Sequence, residues 1–440
     1  MGKTLFVTGK LASKALKKIL KTSCIEGDEF VLPIDVAALA TTKFIARHLS
    51  FTPEYDLIMI PGLCAGDPSI IEEKFSVKTI KGPSDLLDIP EFFDRKSDVS
   101  LNEYDIKIFA EINNAPLLTI DEIRKRASYY KACGADVIDI GCKPGIEFHS
   151  LSEVVSSLKE EGYKVSIDTF DVQEIVEADE AGIDYVLSLQ SSNMQVASKI
   201  ESIPVVIPDP DKSIESLQIN ISFLKEMGKE YIIDPILSPL NFGFIDSLER
   251  YMETRRRYPD AEMLAGLGNV IELCDADSVG MNLLLCDMME ELSIQNLLTT
   301  EASHRTHGAV RELDIARRMT YYAKKNSILI RRFAPNLLVV KEERASSYTE
   351  EGLKEIAESL HPRDEDFRIF VADKIYVFNG TLFVSGHEKG EIFSKLAIKD
   401  ADHAFYMGNE LERAELALKL GKRYIQEQPL GWGYLGEGGD

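Results

Sequence analysis

Three aspartates in the middle of the chain carry the same local punctuation. Asp139 follows Asp136-Val137-Ile138, Asp168 follows Lys164-Val165-Ser166-Ile167, and Asp234 follows Tyr231-Ile232-Ile233 and precedes Pro235. A short β-branched run that ends in an acid is how an α/β protein sets a carboxylate at a pocket rim. A single strand-end Asp has a plainer use as well, closing a turn or capping the next helix. Its recurrence at three strand ends favours the pocket. Acids in such a place suit a ligand rich in N–H donors, because an ionised carboxylate only accepts hydrogen bonds. The competing local use is magnesium, which takes oxygen ligands.

The elements that would hold these acids are a strand, a turn and an amphipathic helix repeated eight times. The spacing predicts strands at Ile106–Ile112, Val137–Ile140, Val165–Ile167, Tyr185–Leu189, Val205–Ile207, Tyr231–Ile233, Met263–Ala265 and Leu297–Thr299, each followed by a helix. Capping boxes are expected at Thr119 with Glu122, Ser150 with Glu153 and Asp171 with Glu174. Glycines 134, 162, 182 and 228 close several helices just before the next strand. Eight such units in about 220 residues fit a (β/α)8 TIM barrel, an α/β fold whose reactive groups sit at the carboxyl ends of the strands. That rim can be read in order: Asn113 and Asn114, Asp139 with the loop holding Cys142 and Lys143, Asp168, Ser188 and Gln190, Asp209, Asp234, Asn269, then Thr300 and Glu301.

The whole chain narrows the choices further. With 440 residues, two or three domains are expected. A formal charge of −23 and the lack of a basic stripe argue against nucleic acid as a partner. The six cysteines form no Cys-x-x-Cys pair, which suggests buried thiols in a reducing compartment and no structural zinc. The start, Thr4-Leu5-Phe6-Val7, runs straight into a strand, and no apolar run reaches membrane-spanning length, so no membrane association and a cytoplasmic location are expected. Residues 1–105 alternate strands (Leu5–Val7, Phe30–Leu32, Leu57–Ile60) with helices (Ser13–Leu20, Val36–Arg47), a small parallel α/β domain. Gly62–Asp67 either holds an anion at the following helix or simply turns the chain. The barrel is placed at 106–328. Residues 329–440 form a C-terminal α+β domain, with strands at Ile328–Ile330, Leu337–Val340, Arg368–Val371, Ile375–Phe378 and Thr381–Val384, a hairpin at Asn379-Gly380 and a long helix from about Glu410 to Gln426.

Several of these segments, in this order, resemble a known family. Asn113, Gly134-Ala135-Asp136-Val137-Ile138-Asp139-Ile140-Gly141 with Pro144-Gly145, Ser166-Ile167-Asp168-Thr169 and Ile232-Ile233-Asp234-Pro235 are similar to successive motifs of the pterin-binding barrels. That group includes dihydropteroate synthase and the methyltetrahydrofolate-dependent corrinoid methyltransferases. The layout is most similar to archaeal dihydropteroate-synthase-related proteins linked to tetrahydromethanopterin. The resemblance covers about half of the chain. It implies a transferase with a reduced pterin as substrate or ligand, Asp168, Ser188 and Asp234 as pterin contacts, and Asn113 at a diphosphate and its Mg2+. Asp139 would shape the site beside the second loop and join Asn113 in the catalytic set, with Lys143 and Arg305 as its candidate cations, and the partner implied is a homodimer.

The departures from the synthase pattern keep a second reaction open. After the seventh strand the chain has Gly266-Leu267-Gly268-Asn269, a form that resembles the methyltransferases, where Asn269 would face the pterin and a corrinoid or corrinoid protein would accept the methyl group. In place of the synthases' cations, Ser303, His304 and Arg305 open the eighth helix, where they either bind a phosphate or, with His307, stay solvated. Asp400–Gly408 has a faint likeness to corrinoid-carrying subunits, with His403 either a cobalt ligand or structural. A non-catalytic pterin carrier or scaffold is the remaining alternative.

Overall fold

The computed structural model describes residues 3–51, 55–83, 86–93, 99–331, 334–341, 348–398 and 400–436. The chain divides into two compact units, Met1–Phe333 and Ala334–Asp440. In the first unit, β1 (Thr4–Thr8), β2 (Gly27–Val31), β3 (Leu57–Ile60) and β4 (Lys78–Lys81) form a parallel sheet in the order β2-β1-β3-β4. Its two faces carry separate apolar clusters, one around Leu5, Ile45 and Ile58 and one around Phe6, Leu16 and Met59, as period-two alternation requires. The helix expected at Val36–Arg47 is broken into a 3₁₀ turn, Ala37–Leu39, and a helix, Thr42–His48, capped by the Thr41 hydroxyl.

The barrel strands are β5 (Lys107–Ile112), β6 (Val137–Gly141), β7 (Lys164–Asp168), β8 (Tyr185–Leu189), β9 (Ile203–Val206), β10 (Ile232–Ile233), β11 (Leu264–Gly266) and β12 (Asn296–Thr300). They pair in parallel in the order β10-β9-β8-β7-β6-β5-β12-β11, and a bridge from Ile233 to Met263 closes the ring. This is a (β/α)8 barrel, with all eight strands where the sequence pattern puts them. One unit differs. β8 is followed by a 3₁₀ segment, Met194–Ser198, because the short stretch before β9 leaves no room for a full crossover helix. Thr119 and Glu122 form their capping box, whereas Ser150 makes no side-chain cap, and Asp171 caps its helix alone.

Alternation along each strand divides the barrel interior into two storeys. The lower one is apolar: Phe109, Val137, Tyr185, Leu187, Val205, Ile232 and Leu264 fill it, with the Phe109 and Tyr185 rings edge to face at 5.1 Å. Two residues further along the strands, the same inward face carries Glu111, Asp139 and Asp234. The plug therefore fixes the depth at which those acids emerge.

Beneath the plug, charge is fully matched. The Arg317 side chain, 1% exposed, donates to Asp314 Oδ1 (2.7 Å), to the carbonyls of Ile106 (2.6 Å) and Gly134 (2.8 Å), and to the Asp136 carboxylate, which also accepts from the Ile108 amide. The Tyr104 ring covers its guanidinium at 3.6 Å. Gly134 sits at φ +108°, and a Cβ there would lie 2.5 Å from the Asp314 carboxyl carbon, so this corner requires glycine.

In the second unit, β13 (Arg368–Val371), β14 (Ile375–Phe378) and β15 (Phe383–Gly386) form an antiparallel sheet packed on the helix Ala401–Leu420. The Asn379 side chain accepts from the Thr381 and Leu382 amides in the hairpin turn. Ile328–Ile330 forms no strand, and Pro335–Leu337 is a 3₁₀ turn; Pro335 fixes φ and removes a ladder donor. Among the described residues no helix is long and apolar enough to cross a membrane, and no cysteine is paired; Cys24 is exposed, against the expectation of burial.

Replacing Arg317 with Met should destabilise the barrel unit by about 3–5 kcal/mol, because it removes the buried partner of Asp136 and of the Ile106 and Gly134 carbonyls, while Asp314 keeps Arg318. Urea unfolding followed by circular dichroism reads this as a lower midpoint. An unchanged midpoint would show that Asp136 does not depend on the arginine.

Candidate functional site

At the carboxyl ends of the strands the chemistry is the reverse of that below the plug. Register pairs Glu111 with Asp139, Asp139 with Ser166, and Gly141 with Asp168. Glu111 and Asp139 thus stand level on neighbouring strands, with Gly141 and Asp168 one step above. Gly141 has no side chain, and the Glu111 carboxylate lies in the space this leaves: a Cβ at Gly141 would be 2.4 Å from Glu111 Oε1. Glu111, Asp139 and Asp168 each bring a carboxylate oxygen to within 4.8 Å of the others.

Asp139 is fully buried. Its Oδ1 accepts from the Ser166 hydroxyl at 2.6 Å, and its Oδ2 has no partner. Burial first, and then the charges of Asp168 and Glu111, push its carboxyl well above the usual range. The same causes, burial ahead of Asp168 and Glu272, raise Glu111 to about 7, while the Asn113 side chain opposes the shift. Burial and the nearby Asp234 raise Asp168 to about 6.

Asp234 is the fourth acid. Tyr251 donates its hydroxyl to Oδ1 at 2.6 Å, and the Ile236 amide donates to the same oxygen at 2.7 Å. For this the chain puts Ile236 at φ +64°, an unusual conformation for a β-branched residue. Arg250 anchors the turn through the carbonyls of Pro235 (3.1 Å) and Ile236 (2.8 Å). Burial still dominates, and the Asp234 carboxyl is raised to about 6.

The remaining residues singled out from sequence are distributed as follows. The Asn113 amide oxygen accepts from the Thr300 hydroxyl beside Glu111. Ser188 is the extra residue of a bulge between β8 and β9, and its carbonyl accepts from the Asn193 amide at 3.1 Å. Asn269 is exposed, held by the Leu237 carbonyl at 3.0 Å. Lys143 is exposed on the loop after β6. Ser303, His304 and Arg305 line a separate hollow of about 430 Å³ together with Glu301 and His307. There Arg305 pairs with Asp275 at 2.7 Å. Glu301 already occupies the start of the helix Ala309–Asn326, accepting from the Val310 amide at 3.1 Å. Asp67 likewise fills the start of the helix after Gly62–Asp67, accepting from the Ser69 amide. In the second unit, Asp400 caps the His403 amide, and the His403 ring lies 5.9 Å from Phe367.

The structure thus brings together Asn113, Asp139, Asp168 and Asp234, and adds Glu111, Tyr251 and Glu272, which the sequence reading missed. Glu111 left a readable trace: it interrupts an apolar strand two residues before Asn113, on the same face. Tyr251 lies mid-helix and gives no such signal.

A family described as one of unknown function (DUF6513) matches residues 2–84, and the family PterinBD-DUF4346 matches residues 387–427. The uncharacterized protein MJ0107 of Methanocaldococcus jannaschii is 30% identical, with 97% of this chain and 98% of that protein covered. Among solved structures, a Yersinia pestis dihydropteroate synthase bound to a pterine-sulfa conjugate is 17% identical, covering 52% of this chain and 95% of that one, with a TM-score of 0.41. A Coxiella burnetii dihydropteroate synthase in complex with pteroic acid is 18% identical over 52% of this chain and 96% of its own, with a TM-score of 0.40.

The raised Asp234 carboxyl has a consequence for stability. A folded value of about 6 against an ordinary 3.8 means that the folded state holds this proton more tightly than the unfolded one. The penalty is absent below about pH 4, grows through pH 6 and is complete above it. Asp234→Asn keeps an acceptor for Tyr251 and Ile236 and removes the charge, so it should stabilise the protein by about 1–3 kcal/mol at pH 7.5 and by almost nothing at pH 4. Equal stabilities at pH 7.5 would show that Asp234 is not strained by burial.

Proposed function

The chain belongs to the same family as the Methanocaldococcus jannaschii protein MJ0107, and within that family we propose that its barrel is a pterin-binding transferase. The observation that carries this reading is the set of buried acids above an apolar plug, in which burial raises both Asp168 and Asp234 to about 6 even though Arg250 lies near Asp234. A flat heterocycle that brings a 2-amino group and a ring N–H relieves this arrangement. It donates to Asp168 and to the Asp234 oxygen that Tyr251 and Ile236 leave free, above the apolar plug. Asp168 and Asp234 are the pterin contacts in this reading, with Ser188 at the bulge completing the edge.

The reaction we favour is the dihydropteroate synthase type: a 6-hydroxymethyl-dihydropterin diphosphate joined to an arylamine, here a ribofuranosyl-aminobenzene phosphate in tetrahydromethanopterin biosynthesis. The amine nitrogen attacks the exocyclic methylene, the C–O bond to diphosphate breaks with its electron pair, and the new amine loses a proton. Such a step depends on holding the pterin still and on stabilising the leaving charge more than on a strong base. Methyl transfer from a reduced pterin is the second reading, favoured by Asn269, which β11 brings to the rim where it is fixed by the Leu237 carbonyl.

Fluorescence titration with 6-hydroxymethyl-dihydropterin should show binding that Asp234→Asn weakens by about 1.5–3 kcal/mol, the loss of a charge-assisted bond. Unchanged affinity would remove Asp234 from the pterin site. With the diphosphate ester and an arylamine, magnesium-dependent diphosphate release together with the condensed product supports the synthase reaction. Demethylation of a methyl-tetrahydropterin by cob(I)alamin, without condensation, would replace it with methyl transfer, and binding without either reaction would leave a carrier.

A further inference from the structure

We propose that Glu111, Asp139 and Asp168 together form a site for one hard divalent cation, Mg2+ or Mn2+, at the carboxyl end of the barrel. Proximity of three acids alone would not carry this. What does is Asp139 Oδ2, an oxygen of a fully buried side chain, which accepts no hydrogen bond although Oδ1 of the same carboxylate is satisfied by Ser166. A buried, unpaired carboxylate oxygen is costly, and a metal ion is one of the few partners that would relieve it. Its nearest charged neighbours are the other two acids, and among the described residues none of the three forms an ion pair with a lysine or arginine.

The backbone is arranged around the same point. Gly141 leaves open the space into which the Glu111 carboxylate rises from the storey below, so that a strand-interior glutamate reaches the level of Asp168. Any side chain at 141 would push Glu111 out of the cluster. Asn113 contacts Glu111, and Ser166 contacts Asp139, so two of the three ligands are oriented from behind by neutral donors.

The donor set decides the kind of ion. All three ligands are carboxylate oxygens, which suit Mg2+ or Mn2+ over zinc or copper. No thiol belongs to the cluster, and the nearby Cys142 thiol is engaged with Glu174. Octahedral oxygens around Mg2+ stand about 3–4.2 Å apart, so the observed spread of up to 4.8 Å closes around an ion with small side-chain movements. Three protein ligands leave positions for water or for the oxygens of a bound anion. This assignment does not rest on pterin binding. It places magnesium at the carboxylates next to Asn113, whose side chain contacts Glu111 and accepts from the Thr300 hydroxyl.

The test is Mn2+ binding to the chelator-stripped full chain at pH 7.5 with no pterin present, followed by the loss of the free-ion electron paramagnetic resonance signal. One Mn2+ per chain is expected, displaced by Mg2+, and weakened about tenfold or more in both Glu111→Gln and Asp139→Asn. Both variants replace a buried charge by a neutral amide, so their metal-free melting temperatures should equal or exceed that of the parent, which verifies folding. Gly141→Ala keeps all three carboxylates and should also weaken binding, because its methyl group displaces Glu111. Asp275→Asn, which removes an exposed acid outside the cluster, should bind as the parent does. The assignment is overturned if no stoichiometric ion binds, or if the cluster variants and Asp275→Asn all bind Mn2+ as the parent does, since binding would then be general attraction to an acidic surface. Because no pterin is added, either result leaves the pterin reading to its own titration.

Discussion

Repulsion among carboxylates held in a low-dielectric space is the interaction on which this barrel turns. Glu111, Asp139, Asp168 and Asp234 are drawn from four strands to one end of the barrel, and burial raises all four, two of them to about 6 and one to about 7. Such an arrangement lowers stability unless something binds there. Protein folds keep groups of this sort where a ligand, an ion or a proton relieves them, and the cost is then a measure of what binding returns. The apolar plug of Phe109, Tyr185 and Leu187 matters in this light, because it closes the barrel below and leaves the acids only one direction from which a partner can arrive.

The opposite end of the same strands shows what the chain does with buried acids that have no ligand to meet. Asp314 is buried and Asp136 partly so, yet Arg317 pairs with both, joined at Asp314 by Arg318, while tying three segments together under the Tyr104 ring. Within one barrel, then, Asp136 and Asp314 pair with arginines, whereas among the described residues Glu111, Asp139 and Asp168 form no ion pair with a lysine or arginine. That asymmetry, more than the number of acids, separates a site from a stabilising network. It follows the general division of labour between the two faces of such barrels.

Much of this could be read from the sequence, for reasons that particular residues make plain. Strand-end acids are legible because β-branched runs, a carboxylate and a helix start fall in a fixed order, so Asp139, Asp168 and Asp234 stood out and the eight strands fell where expected. Glu111 was not legible in the same way: it lies within a strand, and its reach to the rim depends on the absence of a side chain at Gly141, a relation across β5 and β6 that only the register reveals. Contacts with long sequence separation failed for the same reason at Tyr251. Local propensity misled where tertiary context prevailed, as at Ile328–Ile330, whose apolar residues pair with no neighbouring strand, and at Val36–Arg47, where the chain breaks at Ala40 and Thr41 to start a capped helix. Ser303, His304 and Arg305 line a hollow with Glu301 and His307, where Arg305 pairs with Asp275 across a long sequence separation that local pattern does not show.

The central claim is that Asp168 and Asp234 receive the N–H edge of a pterin, and a crystal structure of the protein with bound 6-hydroxymethyl-dihydropterin tests it most directly. The account predicts the ring in the barrel mouth above the Phe109–Tyr185 plug, with its 2-amino group and ring N–H within hydrogen-bond distance of Asp168 and Asp234. A pterin bound elsewhere, with water alone facing those two carboxylates, would contradict it.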